Sequence, residues 1–426
     1  MSSKSWTPSS WRDHPAAQDV EYPDRNHLSR VLEKIHALPP LVTPSEIERL
    51  RHQLSLVQKN EAFLLHAGDC AESFEACTHD NISAKIGLIL SFSLILIWGA
   101  RLPIVGLLDG TSFQAPVSRS IALFTCNSPT EKVGDKQVLS FRGDNVNGLD
   151  PNDRTPDPER LLSLLSSGFA SLSHPRAWSL SHVRSPALRK EFERISEGLS
   201  DALGFTRTIG YGRESVSYEQ GGGKSALGEV DFYTRNPIGI KVGPSMASHE
   251  LVELLDIVNP DKVNGKVTLI TRYGAAKIEN FLRGHILEVQ KSGHPVIWIC
   301  DPMHGNTLTS SNGLKTRNFG TIISELTSCI RIHSETGSRL GGISLEFTGE
   351  LTDDGFSVTE CLGGSMELSE EQLELRYQSF CDPRLNFEQS LDVAFLISNH
   401  FKKERLGHTR SDNDVLYAEL GGRSPA

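Results

Sequence analysis

The chain has 426 residues, enough for one large domain or two around a substantial core. Its net charge of -10, with no basic run, argues against a nucleic-acid partner. Seven scattered cysteines without a CxxC pair argue against a disulfide framework, and with an N-terminus lacking any signal-like apolar core they lead us to expect a cytoplasmic protein.

Residues 1–60 read as an N-terminal extension. Leu28, Val31, Leu32 and Ile35 have helical spacing, and Thr43-Pro44-Ser45-Glu46 opens a helix that runs to Val57. Ala62 to Glu72 predicts a buried strand whose closing turn carries Cys70. A helix over 82–100 follows; its apolar run from Ile86 to Trp98 is broken by serines and shorter than a bilayer span, so it predicts a buried helix and no membrane. An apolar strand is expected over 102–108, whereas Asp109 to Ser128 shows neither period. Residues 141–158, rich in Gly, Asn, Asp and Pro, predict a long loop, followed by helices near 159–172 and 186–203 and a glycine-rich loop over 210–228.

From Glu229 the pattern is regular. Strands are expected at 229–234, 238–242, 267–271, 296–299 and 343–347, with helices at 250–258, after Arg272 through Leu287, and at 320–335. Strand followed by helix is the rhythm of a parallel α/β protein. Residues 61–400 therefore read as one α/β domain with a helical insertion at about 140–228, and 401–426 as a polar tail.

Cys70, Lys241, Arg272, His304 and Glu346 stand at or just after expected strand ends, and Asp382 lies in a later turn. Catalytic groups collect at that end of a closed parallel barrel. Cys, His, Glu and Asp form a mixed ligand set for a divalent transition metal such as Mn, Fe, Co or Zn. Lys and Arg at neighbouring strand ends can grip phosphate and carboxylate oxygens. Spacing alone thus points to a barrel-type, metal-assisted enzyme acting on an anionic, phosphorylated substrate.

Six segments carry a family resemblance: G-D-C-A-E-S-F (68–74), F-R-G-D-N-V-N (141–147), N-P-I-G-I-K-V-G-P (236–244), D-P-M-H-G-N-T (301–307), T-E-C-L-G-G (359–364) and C-D-P-R-L-N (381–386). Together they resemble the class II, plant- and fungus-type 3-deoxy-D-arabino-heptulosonate-7-phosphate (DAHP) synthases. The resemblance implies a (β/α)8 TIM-type barrel with an N-terminal helical extension, assembled as a homo-oligomer. It implies condensation of phosphoenolpyruvate with erythrose 4-phosphate at the entry to the shikimate pathway, in primary or secondary metabolism. By the same resemblance Cys70, His304, Glu346 and Asp382 would hold the metal, manganese first among the candidates. Lys241 and Arg272 would be catalytic by binding phosphoenolpyruvate.

The chain also departs from that family. The phosphate-binding run G-Q-x-A-K-P-R-S has no lysine or arginine in its counterpart, Val105 to Ser118. Gln114-Ala-Pro-Val can be encoded by bases that read Lys-Pro-Arg one position over, which points to a shifted frame with translated intron at 121–127. A strand–helix unit bearing W-I-G-[DE]-R-T-R-Q is expected between Thr234 and Arg235 and is missing, and a shorter loss follows Leu162. A barrel short of one unit cannot close with its usual tilt and stagger. The alternative expectation is therefore an inactive paralogue or truncated product that retains metal binding.

Overall fold

The structure is a computed structural model, and it describes residues 20–37, 44–68, 74, 78–108, 129–133, 136–163, 190, 236–365, 368–379 and 381–405. Two helices, α1 (Arg25–His36) and α2 (Pro44–Gln58), precede the sheet. Asp24 starts α1 by accepting from the backbone N–H groups of Asn26 and His27 at 2.8 and 3.0 Å.

Among the described residues, six parallel strands make up the main sheet: β1 (Phe63–Gly68), β2 (Ile104–Leu108), β5 (Ile238–Val242), β6 (Val267–Thr271), β7 (Val296–Cys300) and β10 (Gly342–Glu346). Their spatial order is β2-β1-β10-β7-β6-β5. Along the sheet from β5 to β10 the strands follow chain order, and then the last strand pairs with the first, Gly68 opposite Glu346. Two antiparallel hairpins lie outside this sheet: β3 (Thr130–Val133) with β4 (Lys136–Leu139), and β8 (Thr307–Thr309) with β9 (Lys315–Arg317).

Helices return the chain between strands: α3 (His79–Ala100), α4 (Ser248–Val258), α5 (Ile278–Ser292) and α6 (Phe319–Glu335). A short α7 (Glu370–Leu373) and a long α8 (Phe387–Arg405) complete the described chain. By length and composition α3 could cross a membrane, but half of its apolar window is buried inside the protein, where it packs on α8.

Alternation along the strands divides the core in two. Phe63, Leu65, Leu269, Trp298 and Leu345 face the surrounding helices. Leu64, Val105, Ile270, Ile297 and Ile299 face the other way and pack against Leu50, Leu54 and Val57 of α2. The extension therefore covers one face of the sheet at the end where the strands begin. Continuing by twos from Ile270, Ile299 and Ser344 leads to Arg272, Asp301 and Glu346, and Lys241 is registered opposite Ile270.

The described strands and helices agree with the expected ones to within a few residues. The helix expected over 159–172 is seen over 159–163, where the described residues stop. The helix expected at 186–203, the glycine-rich loop and the strand at 229–234 lie outside the described residues, save Lys190. Both hairpins, α7 and α8 add to the elements expected from the sequence.

Candidate active site

The site forms where β5, β6, β7 and β10 end, on the face that α2 covers at the opposite end. Its hub is Asp301, fully buried in the turn after β7. Asp301 Oδ2 accepts from His304 Nδ1 at 2.8 Å and pairs with the Lys241 ammonium, while Oδ1 accepts from the backbone N–H groups of Met303 and His304 at 3.1 and 3.2 Å. Burial pushes this carboxyl up, but the Lys241 and His304 charges and hydrogen bonds prevail and hold it well below the usual range. With Nδ1 engaged by Asp301, His304 presents Nε2 to Glu346 Oε1 at 3.0 Å. A carboxylate behind the ring is how ligating histidines are held in one tautomer and orientation.

Asp382 reaches the same place through local backbone pairing. Leu385 N–H donates to Glu346 C=O at 2.9 Å, and Thr348 N–H donates to Leu385 C=O at 2.8 Å, which lays the 381–386 turn beside the end of β10. Glu360 secures that turn by accepting from the Arg384 N–H at 2.7 Å and the Ser379 N–H at 2.7 Å. One donor atom each from His304, Glu346 and Asp382 lies within 4.8 Å of the other two. An imidazole nitrogen and two carboxylates so close together form a three-donor set that fits a divalent transition metal.

Arg317, at the end of β9, stands behind the two carboxylates with no solvent exposure. Its Nη1 donates to Glu346 Oε2 at 2.6 Å and to the Pro383 carbonyl, and Nε donates to Thr307 Oγ1 at 3.2 Å. Nη2 lies 3.5 Å from Asp382 Oδ2, at ion-pair range but without hydrogen-bond alignment. Lys315, two residues earlier, reaches Asp382 Oδ1 at 3.2 Å. Burial lowers the Arg317 pKa, but Glu346 and Asp382 outweigh it and keep the guanidinium charged.

Lys241 is partly exposed, and Arg272 is exposed with Nη2 donating to the His304 carbonyl at 3.3 Å. Both place positive charge beside the candidate metal ligands, as an anionic substrate requires. Five of the six expected site residues thus converge; Cys70 lies outside the described residues. Sequence reasoning missed Asp301 and Arg317. Asp301 figured there only as the first residue of the 301–307 segment, although a carboxylate three residues before a candidate ligand histidine was a usable signal.

The class-II DAHP synthetase family matches residues 6–235 and 227–398. A phospho-2-dehydro-3-deoxyheptonate aldolase from Neurospora crassa is 38% identical, with 94% of this chain and 95% of that protein covered. Another from Streptomyces coelicolor is 34% identical, covering 92% of this chain and 97% of that protein. The solved structure of phospho-2-dehydro-3-deoxyheptonate aldolase from Francisella tularensis SCHU S4 is 14% identical, covers 92% of this chain and 99% of that one, and has a TM-score of 0.42, too slight a likeness to bear on the fold. With nearly every residue of the chain matched and both curated relatives covered almost end to end, the chain belongs to the class-II DAHP synthetase family.

Proposed function

We propose that this chain condenses phosphoenolpyruvate with erythrose 4-phosphate, as a phospho-2-dehydro-3-deoxyheptonate aldolase, on a (β/α)8 barrel whose described part is the six-stranded sheet. The pairing of first strand with last, with chain order kept elsewhere, supports the barrel. The observation that carries the function is the meeting of His304, Glu346 and Asp382 beside Lys241 and Arg272 at the strand ends. The curated relatives bear the name of that activity.

Lys241 and Arg272 hold the phosphoenolpyruvate anion and fix its methylene carbon toward the aldehyde. Carbon–carbon bond formation leaves positive charge at the adjacent enol carbon; water adds there and phosphate departs by carbon–oxygen cleavage. Asp301 keeps His304 in its ligating tautomer and screens the Lys241 charge. Arg317 holds the Glu346 and Asp382 carboxylates in place and offsets their mutual repulsion. His304, Glu346, Asp382 and Cys70 would hold a divalent ion, manganese first among the candidates, which would supply Lewis acidity toward the aldehyde oxygen.

Metal analysis tests the assignment. The purified protein should carry about one divalent ion per chain, and Cys70→Ser and His304→Ala should each weaken its retention strongly. Unchanged occupancy in both variants would sink the assignment.

A second reading, a family member without ordinary turnover, has support of its own. The family match breaks into two segments that overlap at 227–235, where the sequence lacks an expected strand–helix unit. The Neurospora alignment has 473 positions against 426 residues here, so at least 47 of its positions have no counterpart in this chain. Sequencing the transcript separates the readings, because a message encoding Lys-Pro-Arg and the missing unit would remove the second.

A further inference from the structure

We propose that Glu325 is a positioning residue that holds Arg272 and His304 at a fixed separation, by clamping together the two loops that carry them. The proposal rests on the roles given above to Arg272 and His304.

Glu325 lies on α6 between Ile322 and Cys329, on the stripe where packing calls for an apolar side chain, and it has no solvent exposure. Its Oε1 accepts from the backbone N–H groups of Tyr273 and Gly274 at 3.0 and 2.9 Å, directly after Arg272. Its Oε2 accepts from Asn306 Nδ2 at 2.6 Å, two residues after His304. Asn306 completes the stitch: Nδ2 also donates to the Pro302 carbonyl at 2.8 Å, and Oδ1 accepts from the Ala275 N–H at 3.0 Å.

The two loops also meet backbone to backbone. Gly274 has φ of +81°, and a Cβ there would lie 2.6 Å from the Gly305 carbonyl oxygen; Gly305 likewise has no room for a side chain against Gly274. Only two glycines permit this approach. Arg272 and His304 thus ride on loops that share one seam, and a single carboxylate binds both sides of it.

The chemistry calls for a carboxylate at this point. Three N–H donors converge on Glu325, and an ionised carboxyl brings no donor of its own. Among the described residues no cation pairs with it, so burial raises its pKa to about 7 against the three stabilising hydrogen bonds. A charged group left so exposed to a burial penalty is not explained by packing. Glutamine, of the same shape, would turn an NH2 group toward either Asn306 Nδ2 or the two backbone donors. Asn306 cannot flip in response without losing Ala275.

The test is a pair of double-mutant cycles on the full chain, with calorimetric titration of phosphoenolpyruvate and of Mn2+, and urea unfolding run alongside. Glu325→Gln should weaken phosphoenolpyruvate binding about tenfold, yet change it less than about twofold in an Arg272→Ala background. The same pattern should appear for Mn2+ against His304→Ala. The stability change should be equal in all backgrounds, because folding does not pass through either side chain. Independent, multiplicative losses would overturn the proposal, as would unchanged affinity for both ligands. If the parent chain binds Mn2+ but not phosphoenolpyruvate, the substrate reading fails and the His304 cycle alone decides; the converse leaves the decision to the Arg272 cycle. Binding of neither overturns both. Should Glu325→Gln not fold, Asn306→Ala enters the same cycles, since it cuts the stitch on the His304 side only.

Discussion

Arg317 shows most plainly what single residues contribute. It is a fully buried cation between Glu346 and Asp382, and its removal leaves two carboxylates facing each other. Arg317→Met should cost about 3–5 kcal/mol in urea unfolding, the usual penalty for breaking a buried charge pair from one side. Mn2+ should then raise the melting temperature of the variant more than that of the parent, because a bound cation replaces the missing charge. Glu325 gives a pH prediction of known sign. Its folded pKa of about 7 lies above the ordinary value of 4.5, so the folded protein holds this proton more tightly. The stability it contributes is complete below pH 4.5 and is lost as pH rises through 7, on the order of 3 kcal/mol. In Glu325→Gln that part of the slope should vanish from unfolding curves taken across this window. Lys241, Arg272, His304 and Glu346 were legible in the sequence because each ends an apolar strand pattern. Arg317 and Glu325 were not. Arg317 sits in a short hairpin with no period to break, and the partners of Glu325 lie 19 to 52 residues away in the chain.

At the level of elements, α2 and the α3–α8 pair carry testable weight. Leu54 of α2 is 1% exposed among strand residues of the covered face, so Leu54→Ala should destabilise by about 2–5 kcal/mol in urea unfolding. Gly99 lets α3 approach α8 until Ser398 Oγ occupies the place of its Cβ, with Ser398 also donating to the Ile95 carbonyl at 3.0 Å. Gly99→Leu should therefore push the helices apart and lower the melting temperature, whereas Ser398→Gly with Gly99→Ala should recover part of the loss. The strands β6 and β7 were readable because largely apolar runs closed by turn or polar residues are what a doubly covered parallel strand requires, and both are buried along nearly their whole length. Helix α8 was not, for a related reason. Leu391, Val393, Ala394, Leu396 and Ile397 are all buried, so no single stripe stands out against a polar face. The two hairpins are too short to show alternation.

For the whole molecule, the sequence departures bear on turnover rather than on the site described. The missing lysine and arginines would deprive substrate phosphate of those donors, and each such loss typically costs on the order of a hundredfold or more in rate. On the reading without ordinary turnover, phosphate release from phosphoenolpyruvate in the presence of erythrose 4-phosphate should be close to undetectable for the 426-residue chain and should return when both segments are restored. Normal release by the unaltered chain would show that those segments are dispensable. The pairing of β1 with β10 has a further consequence, in time rather than space. His66 Nδ1 meets Ser344 Oγ at 2.8 Å across a separation of 278 residues. At ribosomal speed that interval lasts roughly 15–55 s. Throughout it β1 and its neighbour β2 have been synthesised but the strand that pairs with the other edge of β1 has not, and Glu346 and Asp382 are still unmade. Every nascent copy thus carries a waiting apolar edge for most of its synthesis, a period in which chaperone binding should be strongest and premature termination most harmful.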